Sequence, residues 1–466
     1  MSVPGTVANP LRVAIIGAGP TGFYAADYLL KQKELSVEID LFDKLPVPFG
    51  LVRFGVAPDH QKIKSVTRAY ERTARRPNVR FFGNVKFGEH LTLQDVSRHY
   101  HQVIFTTGAQ SDRRLGIPGE DLPGSHAATE FVAWYNGHPE YRNCHFDLSH
   151  ERVAVIGVGN VAMDVARILC RTPAELRRTD MADYAIEALS RSRVKEVYII
   201  GRRGPAQAKF TNPEIAELGQ LEDADIYVPS ADAELDPLSR AELEAGGDRA
   251  TMKNVETVQS FTTLPASGKS RRLVLRFLVS PAEIIGDEQA GIRALRLVKN
   301  ELVPTASGGL RPRATDRFED LPVGLVFRSV GYRGVPLPGI PFFDDWGVIL
   351  NERGRILDSD SRQPLPGMYT AGWIKRGPSG VIGTNKPDAV ETVGCMLEDA
   401  AAGGTFAPAQ PQVEAVTRLL AERQPHLFTF DDWLKLDALE QAAGEAQGRP
   451  RVKFTSVAEM LAALGR

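Results

Sequence analysis

Leu11-Arg12-Val13-Ala14-Ile15-Ile16-Gly17-Ala18-Gly19-Pro20-Thr21-Gly22 and Arg152-Val153-Ala154-Val155-Ile156-Gly157-Val158-Gly159-Asn160-Val161-Ala162 follow one pattern at two places in the chain. Each is a short apolar run that breaks into Gly-x-Gly-x-x-Gly or Gly-x-Gly-x-x-Ala. Such a run, bounded by glycine, reads as a strand buried on both faces of a parallel sheet. After the first turn, residues 21–33 carry helical apolar spacing, and a second strand, Val37–Phe42, ends in Asp43. Strand, glycine turn, helix, strand and acid within about 30 residues make up a dinucleotide-binding unit. In it Gly17 permits the tight turn, Gly19 leaves room for a pyrophosphate, and Gly22 lets the helix pack closely. The phosphate meets the positive helix end, and Asp43 accepts hydrogen bonds from ribose hydroxyls. The bland alternative is a glycine turn in an unrelated α/β unit.

The second unit differs in two ways. Ala162 replaces the last glycine, and the strand 197–200 ends in Gly201-Arg202-Arg203-Gly204 where an acid would otherwise stand. Two guanidiniums suit a ribose 2′-phosphate through forked, charge-assisted hydrogen bonds, so NADP is expected over NAD. Helix 161–170 is followed by an inserted helical stretch, 172–193, which stretches the usual spacing of roughly 20 residues from motif to specificity residue.

The chain of 466 residues exceeds what one core usually organises, and its 43% apolar and 24% charged content is that of a globular protein. A net charge of −2 gives no global reason to expect nucleic acid or membrane binding. Cys144, Cys170 and Cys395 lie far apart, which reads as structural and argues against a metal site, a dithiol centre or an iron–sulfur cluster on this chain. Residues 1–11 do not read as a signal peptide, and no run of 18 apolar residues occurs, so a soluble protein of a reducing compartment is expected.

Residues 44–61, rich in Pro and Gly, read as a long functional loop without regular structure. Residues 103–109 read as another strand of the first sheet, with a domain crossing near residue 110. The alternation at 273–279 and 294–298 suggests antiparallel strands decorating the second domain; 325–329 and 367–373 read as further strands, the latter back in the first domain. Helical patterning returns near 413–421 and 433–440. The expected class is α/β, with two Rossmann-like domains: 1–110 and 331–466 form one, and 111–330 is inserted as the other. His60 beside Asp59, and Glu214 and Glu217 after Thr211-Asn212-Pro213, are candidate proton-handling groups, but on the residues alone a structural histidine and carboxylates that cap and solvate a helix are the default.

Four long runs carry a more specific signal. Pro48-Phe49-Gly50-Leu51-Val52-Arg53-Phe54-Gly55-Val56-Ala57-Pro58-Asp59-His60, Gly159-Asn160-Val161-Ala162-Met163-Asp164-Val165-Ala166-Arg167-Ile168-Leu169, Gly201-Arg202-Arg203-Gly204-Pro205 and the run from Gly372-Trp373 to Thr384-Asn385 closely resemble the adrenodoxin-reductase-like ferredoxin–NADP reductases. The tail, with Gly448-Arg449-Pro450-Arg451-Val452-Lys453, resembles bacterial members. The resemblance implies a glutathione-reductase-like oxidoreductase with FAD in the outer domain and NADP(H) in the inserted one. It implies FAD contacts at Gly17, Gly19, Thr21, Gly22, Asp43, Leu51, Phe87, Trp373, Gly380, Val381 and Ile382. NADP contacts are implied at Arg113, Val158, Gly159, Asn160, Val161, Arg202, Arg203, Glu214 and Gly380, with His60 and Glu217 beside the reacting rings.

Two departures stand out: Asp43 replaces a longer Glu, and Phe87 stands where smaller aliphatics occur. The implied reaction is hydride transfer from nicotinamide C4 to flavin N5, followed by single-electron release to a ferredoxin. That partner would dock on a basic face, for which Arg68, Arg72, Arg75 and Arg76 form one candidate and Lys269, Arg271 and Arg272 another. No transit peptide is read at the start, so a monomeric bacterial cytoplasmic protein is expected. The alternatives are the electron-input subunit of a glutamate-synthase-type reductase, which would normally carry cysteine clusters, and a nucleotide-binding redox sensor.

Overall fold

The run Leu11–Ile16 forms a strand buried along its whole length. It pairs in parallel along both edges, with Val37–Phe42 and with Gln102–Phe105, and because residues on both of its faces are buried no alternation is needed. The computed structural model describes residues 4–306 and 308–466, so the first three residues of the N-terminal stretch lie outside the described residues. The chain divides into two units, one of Met1–Ser111, Gly331–Gln447 and Arg451–Arg466, the other of Asp112–Val330 with Gly448–Pro450.

The first unit is built on a seven-stranded sheet in the order Asn351–Glu352, Arg355–Leu357, Pro364–Thr370, Gln102–Phe105, Leu11–Ile16, Val37–Phe42, Val79–Phe82. Helices Pro20–Leu29 and Asn385–Ala401 pack on it. Inside this sheet the buried Asp40 accepts from Arg12 at 2.9 Å, from the Tyr100 hydroxyl at 2.6 Å and from Arg80, so the carboxylate is fully compensated. The second unit holds a six-stranded parallel sheet, Ser125–Ala127, Leu325–Arg328, Arg152–Ile156, Glu196–Ile200, Arg271–Arg276, Ala224–Tyr227. A separate antiparallel sheet joins Val279–Asp287, Gly291–Pro304 and Leu310–Leu321. Two Rossmann-like sheets, the second intervening in the chain between the halves of the first, are the expected fold class.

Several local expectations need correction. Residues 271–276 are not an antiparallel decoration. They lie in parallel between Glu196–Ile200 and Ala224–Tyr227, with Leu273, Val274 and Leu275 all buried, so an apparent alternation belonged to a strand covered on both faces. The residues 44–61 contain the short helices Leu51–Phe54 and, from residue 61, Gln61–Lys64. The first helix stops at Leu29, because Lys31 to Glu34 supplies no apolar residue for the core. The strand expected over 103–109 ends at Phe105, where Thr106 turns its hydroxyl onto the Gly17 carbonyl oxygen at 2.7 Å. The strand expected over 367–373 is Pro364–Thr370, and Trp373 begins a short helix, Trp373–Arg376.

His126, in the strand Ser125–Ala127, sets its ring 4.8 Å from that of Phe146. Burial first, then the charges of Arg328 and His145, push its pKa down to about 4. Below pH ~6.5 the unfolded chain protonates this imidazole while the folded chain does not, so the stability present above pH ~6.5 declines by roughly 2 kcal/mol as pH falls towards 4. The variant His126→Phe is therefore expected to show a flatter fall in denaturant midpoint between pH 7 and 4.5. Parallel curves for variant and parent would reject this origin.

Candidate nucleotide-binding sites

The three glycines of the first turn do different work. A Cβ on Gly17, whose φ is +112°, would lie 2.6 Å from the Thr106 carbonyl oxygen, and one on Gly22 would lie 2.2 Å from the Gly17 oxygen. Both are glycine because the chain itself occupies the space. A Cβ on Gly19 would meet nothing within 4 Å, so that glycine leaves open the space a pyrophosphate needs. Gly19 caps helix Pro20–Leu29 without a side-chain hydrogen bond, whereas Leu93–His99 and Phe430–Glu445 carry capping boxes. The positive end of the first helix is thus left for an anion.

Distant stretches close on this turn. The Gly50 Cβ position is 3.1 Å from the Gly19 Cα, and that of Gly372 is 2.4 Å from the Thr21 hydroxyl oxygen. Asp43 fastens the turn: its Oδ2 accepts from the Ala18 N–H at 2.8 Å and its Oδ1 from the Leu45 N–H at 2.9 Å. The shorter acid therefore braces the backbone and keeps further lone pairs for hydroxyl donors. Leu51 begins its short helix at the surface, while Phe87 is buried against the edge of Phe105 at 5.1 Å. Trp373 donates its indole N–H to the Ser379 carbonyl oxygen at 3.2 Å, and Arg376 donates to the same oxygen at 2.9 Å. This double brace fixes the loop before Gly380, Val381 and Ile382, where Gly380 has φ +76° and Val381 is exposed. Asp388, which accepts from the Gly372 N–H and pairs with Lys375, carried no local signal in the sequence.

In the second unit Gly157, at φ +136°, would place a Cβ 2.1 Å from the Ser329 carbonyl oxygen, whereas Gly159 again has nothing within 4 Å. Helix Asn160–Cys170 begins at Gly159 with no side-chain cap. Asn160 accepts from the Thr211 N–H at 2.9 Å, and the Val158 carbonyl accepts from the Lys209 N–H at 2.9 Å, so the turn is tied to the segment after the arginine pair. Val161 is half-buried in the first turn of that helix.

Arg202 is exposed and Arg203 half-buried, and neither has an acid partner among the described residues. Burial first, and the neighbouring Arg202 charge second, lower the Arg203 pKa from its ordinary value, as two cations without an anion require. Asn300 donates to the Arg202 carbonyl at 2.8 Å and holds the pair's backbone; only the fold brings it there.

Glu214 and Glu217 both lie on helix Asn212–Leu218 and face the fully buried Arg167, at 3.3 and 3.6 Å. Arg113 is exposed in this second unit. His60 belongs to the first unit, half-buried at the start of helix Gln61–Lys64, its N–H donating to the Ala57 carbonyl at 3.0 Å.

Residues 11–220 match the family described as pyridine nucleotide-disulphide oxidoreductase. The chain is 48% identical, over 97% of its own length and 99% of the relative's, to the NADPH-ferredoxin reductase FprA of Mycobacterium tuberculosis. It is 39% identical, over 98% of its length and 96% of the relative's, to the mitochondrial NADPH:adrenodoxin oxidoreductase of Arabidopsis thaliana. The solved structure of Mycobacterium tuberculosis FprA in complex with NADPH superposes with a TM-score of 0.92 at 47% identity, covering 98% of this chain and all of that one. The chain belongs to the adrenodoxin-reductase-like NADPH-ferredoxin reductases.

As an oxidoreductase of this FAD-dependent family, the reductase has residues that fit the group: an open face over Gly19, an uncapped helix end and backbone gathered from three stretches. Its cysteines are free, and burial raises the Cys170 pKa to about 12, which suits a packing role. No helix among the described residues is long and apolar enough to cross a membrane.

Proposed function

We propose that this reductase oxidises NADPH and delivers the electrons one at a time to a ferredoxin-type iron–sulfur protein. The observation that carries the reading is the Arg202–Arg203 pair, two cations without a carboxylate partner among the described residues, on the segment that follows the strand beside the open phosphate turn at Gly159. Residues 1–110 and 331–466 would form the FAD domain and 111–330 the NADP domain. When bound, FAD supplies the conversion of a two-electron donor into two one-electron deliveries. Overall, NADPH and two oxidised ferredoxins give NADP+, two reduced ferredoxins and one proton. His60 and Glu217 are assigned the handling of protons, and Arg167, 3.6 Å from the Glu217 carboxylate, orients it. Thr21, Leu51, Phe87, Trp373 and residues 380–382 would hold FAD, with Arg113, residues 158–161 and Glu214 on NADP(H). The expected working form is a monomer in the bacterial cytoplasm.

For the partner, the two basic clusters are unequal. Lys269 donates to the Leu221 carbonyl at 2.7 Å, Arg271 lies 3.4 Å from Asp223, and Arg272 lies 4.4 Å over the Tyr227 ring, so that cluster is engaged by its own unit. Arg68, Arg72, Arg75 and Arg76 are all exposed; Glu71, between them in the chain, feels the charges of Arg68 and Arg75, and four cations outnumber that one acid. Arg72, Arg75, Arg76 and Lys386 edge a groove of about 620 Å3 whose lining includes Tyr24 and Tyr70. This face is where an acidic ferredoxin would dock.

The test is anaerobic titration with NADPH followed by ferredoxin reduction at rising salt. A yellow protein whose flavin band bleaches, with ferredoxin reduction falling steeply over ionic strengths where the screening length drops below about 10 Å, is expected. Reversing Arg72, Arg75 and Arg76 to Glu should cut ferredoxin reduction at least about tenfold while leaving ferricyanide reduction unchanged. A colourless protein that cannot be reconstituted with FAD would sink the reading.

A further inference from the structure

The elbow 48–54 enters the first site in a conformation it would not adopt alone. Phe49 is not glycine, yet its φ is +86°, and Gly50 follows at +48°. A bulky residue in the left-handed region is strained and persists only where its surroundings hold it. The Phe49 N–H donates to the Ala18 carbonyl at 2.8 Å, within the glycine turn, so the strained elbow and the phosphate turn are one piece of geometry.

What holds the elbow comes from the far end of the chain. The Phe49 ring meets the buried Trp433 edge-on at 5.6 Å. The buried Arg53 stacks its guanidinium 5.0 Å from the same indole and makes a two-pronged pair with Glu440, at 2.9 and 2.5 Å. Glu440, on helix Phe430–Glu445, also accepts from Arg451 at 3.0 Å and from the Phe454 N–H at 2.9 Å. Lys453 donates to the Arg53 carbonyl oxygen at 3.2 Å. Burial alone would raise the Glu440 pKa, but Arg53, Arg451 and the Phe454 N–H outweigh it and lower it. The ring, side chain and carbonyl that lock the elbow are thus all gripped by residues 433–454.

We propose that the C-terminal segment 433–454 is the positioning element of the flavin site: Trp433, Glu440 and Lys453 hold the elbow Phe49–Arg53 in its strained form and so set FAD affinity and the flavin's electronic environment. Arg53, Glu440 and Lys453 are positioning residues, acting through the backbone at Phe49 and Gly50. This rests on FAD binding by the first unit, and a wild-type chain that binds no FAD would fail that reading before it bears on the tail.

The test uses the full-length holoenzyme with Glu440→Gln, Lys453→Met and Arg53→Lys. FAD dissociation constants, the visible flavin spectrum and the flavin midpoint potential are measured, with 2′-phosphate-dependent NADP+ binding as an independent report that the second unit is folded. Glu440→Gln is expected to weaken FAD binding at least about tenfold and to shift spectrum and potential, since it leaves Arg53 buried with a neutral partner. Lys453→Met should move the same readouts less, and Arg53→Lys should keep part of the affinity. Should Glu440→Gln fail to fold, Lys453→Met decides, because it removes the hydrogen bond to the elbow carbonyl while leaving the Arg53–Glu440 pair in place. Tail variants that lower the melting temperature while FAD affinity stays within about twofold and spectrum and potential stay put would overturn the proposal.

Discussion

Replacing Arg202 and Arg203 together with alanine is expected to raise the KM for NADPH by about 100- to 1000-fold and to leave the KM for NADH within about twofold. Each charged hydrogen bond to a phosphate contributes roughly 1.5–3 kcal/mol, and every ~1.4 kcal/mol is tenfold in binding. Among the described residues neither guanidinium has an acid to lose, and their backbone is held separately by Asn300 and by the Leu278 N–H bonded to the Arg203 carbonyl at 3.2 Å, so truncation should leave the fold intact. Removing two unpaired, mutually repelling cations should even relieve the apo form. Steady-state kinetics with both coenzymes reads the result, and an equal rise for NADPH and NADH would refute the 2′-phosphate assignment.

The second large effect is expected at Gly19. Its φ of −89° is open to any residue, and a Cβ there meets no atom within 4 Å, so Gly19→Val should fold with a melting temperature of the FAD-free protein close to that of the parent. The branched side chain would stand where the pyrophosphate must lie, and FAD binding should fall by about 1000-fold or more, leaving a colourless protein that still binds NADP+. Gly22→Ala is the contrasting control. Its Cβ would lie 2.2 Å from the Gly17 carbonyl oxygen, so it should cost stability first, and flavin only as a consequence. Flavin content against melting temperature separates the two. A yellow Gly19→Val protein with unchanged FAD affinity would place the phosphate elsewhere.

The strands and turns that define both nucleotide units were legible because their determinants are local. Leu11–Ile16 and Arg152–Ile156 are read from runs of five or six residues, and the glycine roles at Gly17 and Gly159 follow from spacing within one turn. The Arg202–Arg203 pair was legible for the same reason, as it stands at the end of the strand after its own motif. Where the reading failed, the signal was ambiguous in kind. Residues 273–279 alternate and read as an antiparallel decoration, yet Arg271–Arg276 lies in parallel between two strands with Leu273, Val274 and Leu275 all buried. The helix Leu51–Phe54 is too short to show a period amid Pro and Gly.

The sequence by itself determined that this chain carries two glycine-turn units, which of them is followed by an arginine pair in place of an acid, and the family to which it belongs. These are properties of backbone geometry and charge within a few residues of one another. Only the tertiary structure decided that Asp43 braces its own turn, that Lys269, Arg271 and Arg272 are spent on their own unit while Arg72, Arg75 and Arg76 stay open, and that Glu440 reaches Arg53 across 387 residues. Contacts of that span leave no periodicity in the chain. They exist because burying Trp433, Phe49 and the paired charges together is favourable only once the two ends of the sequence share one core.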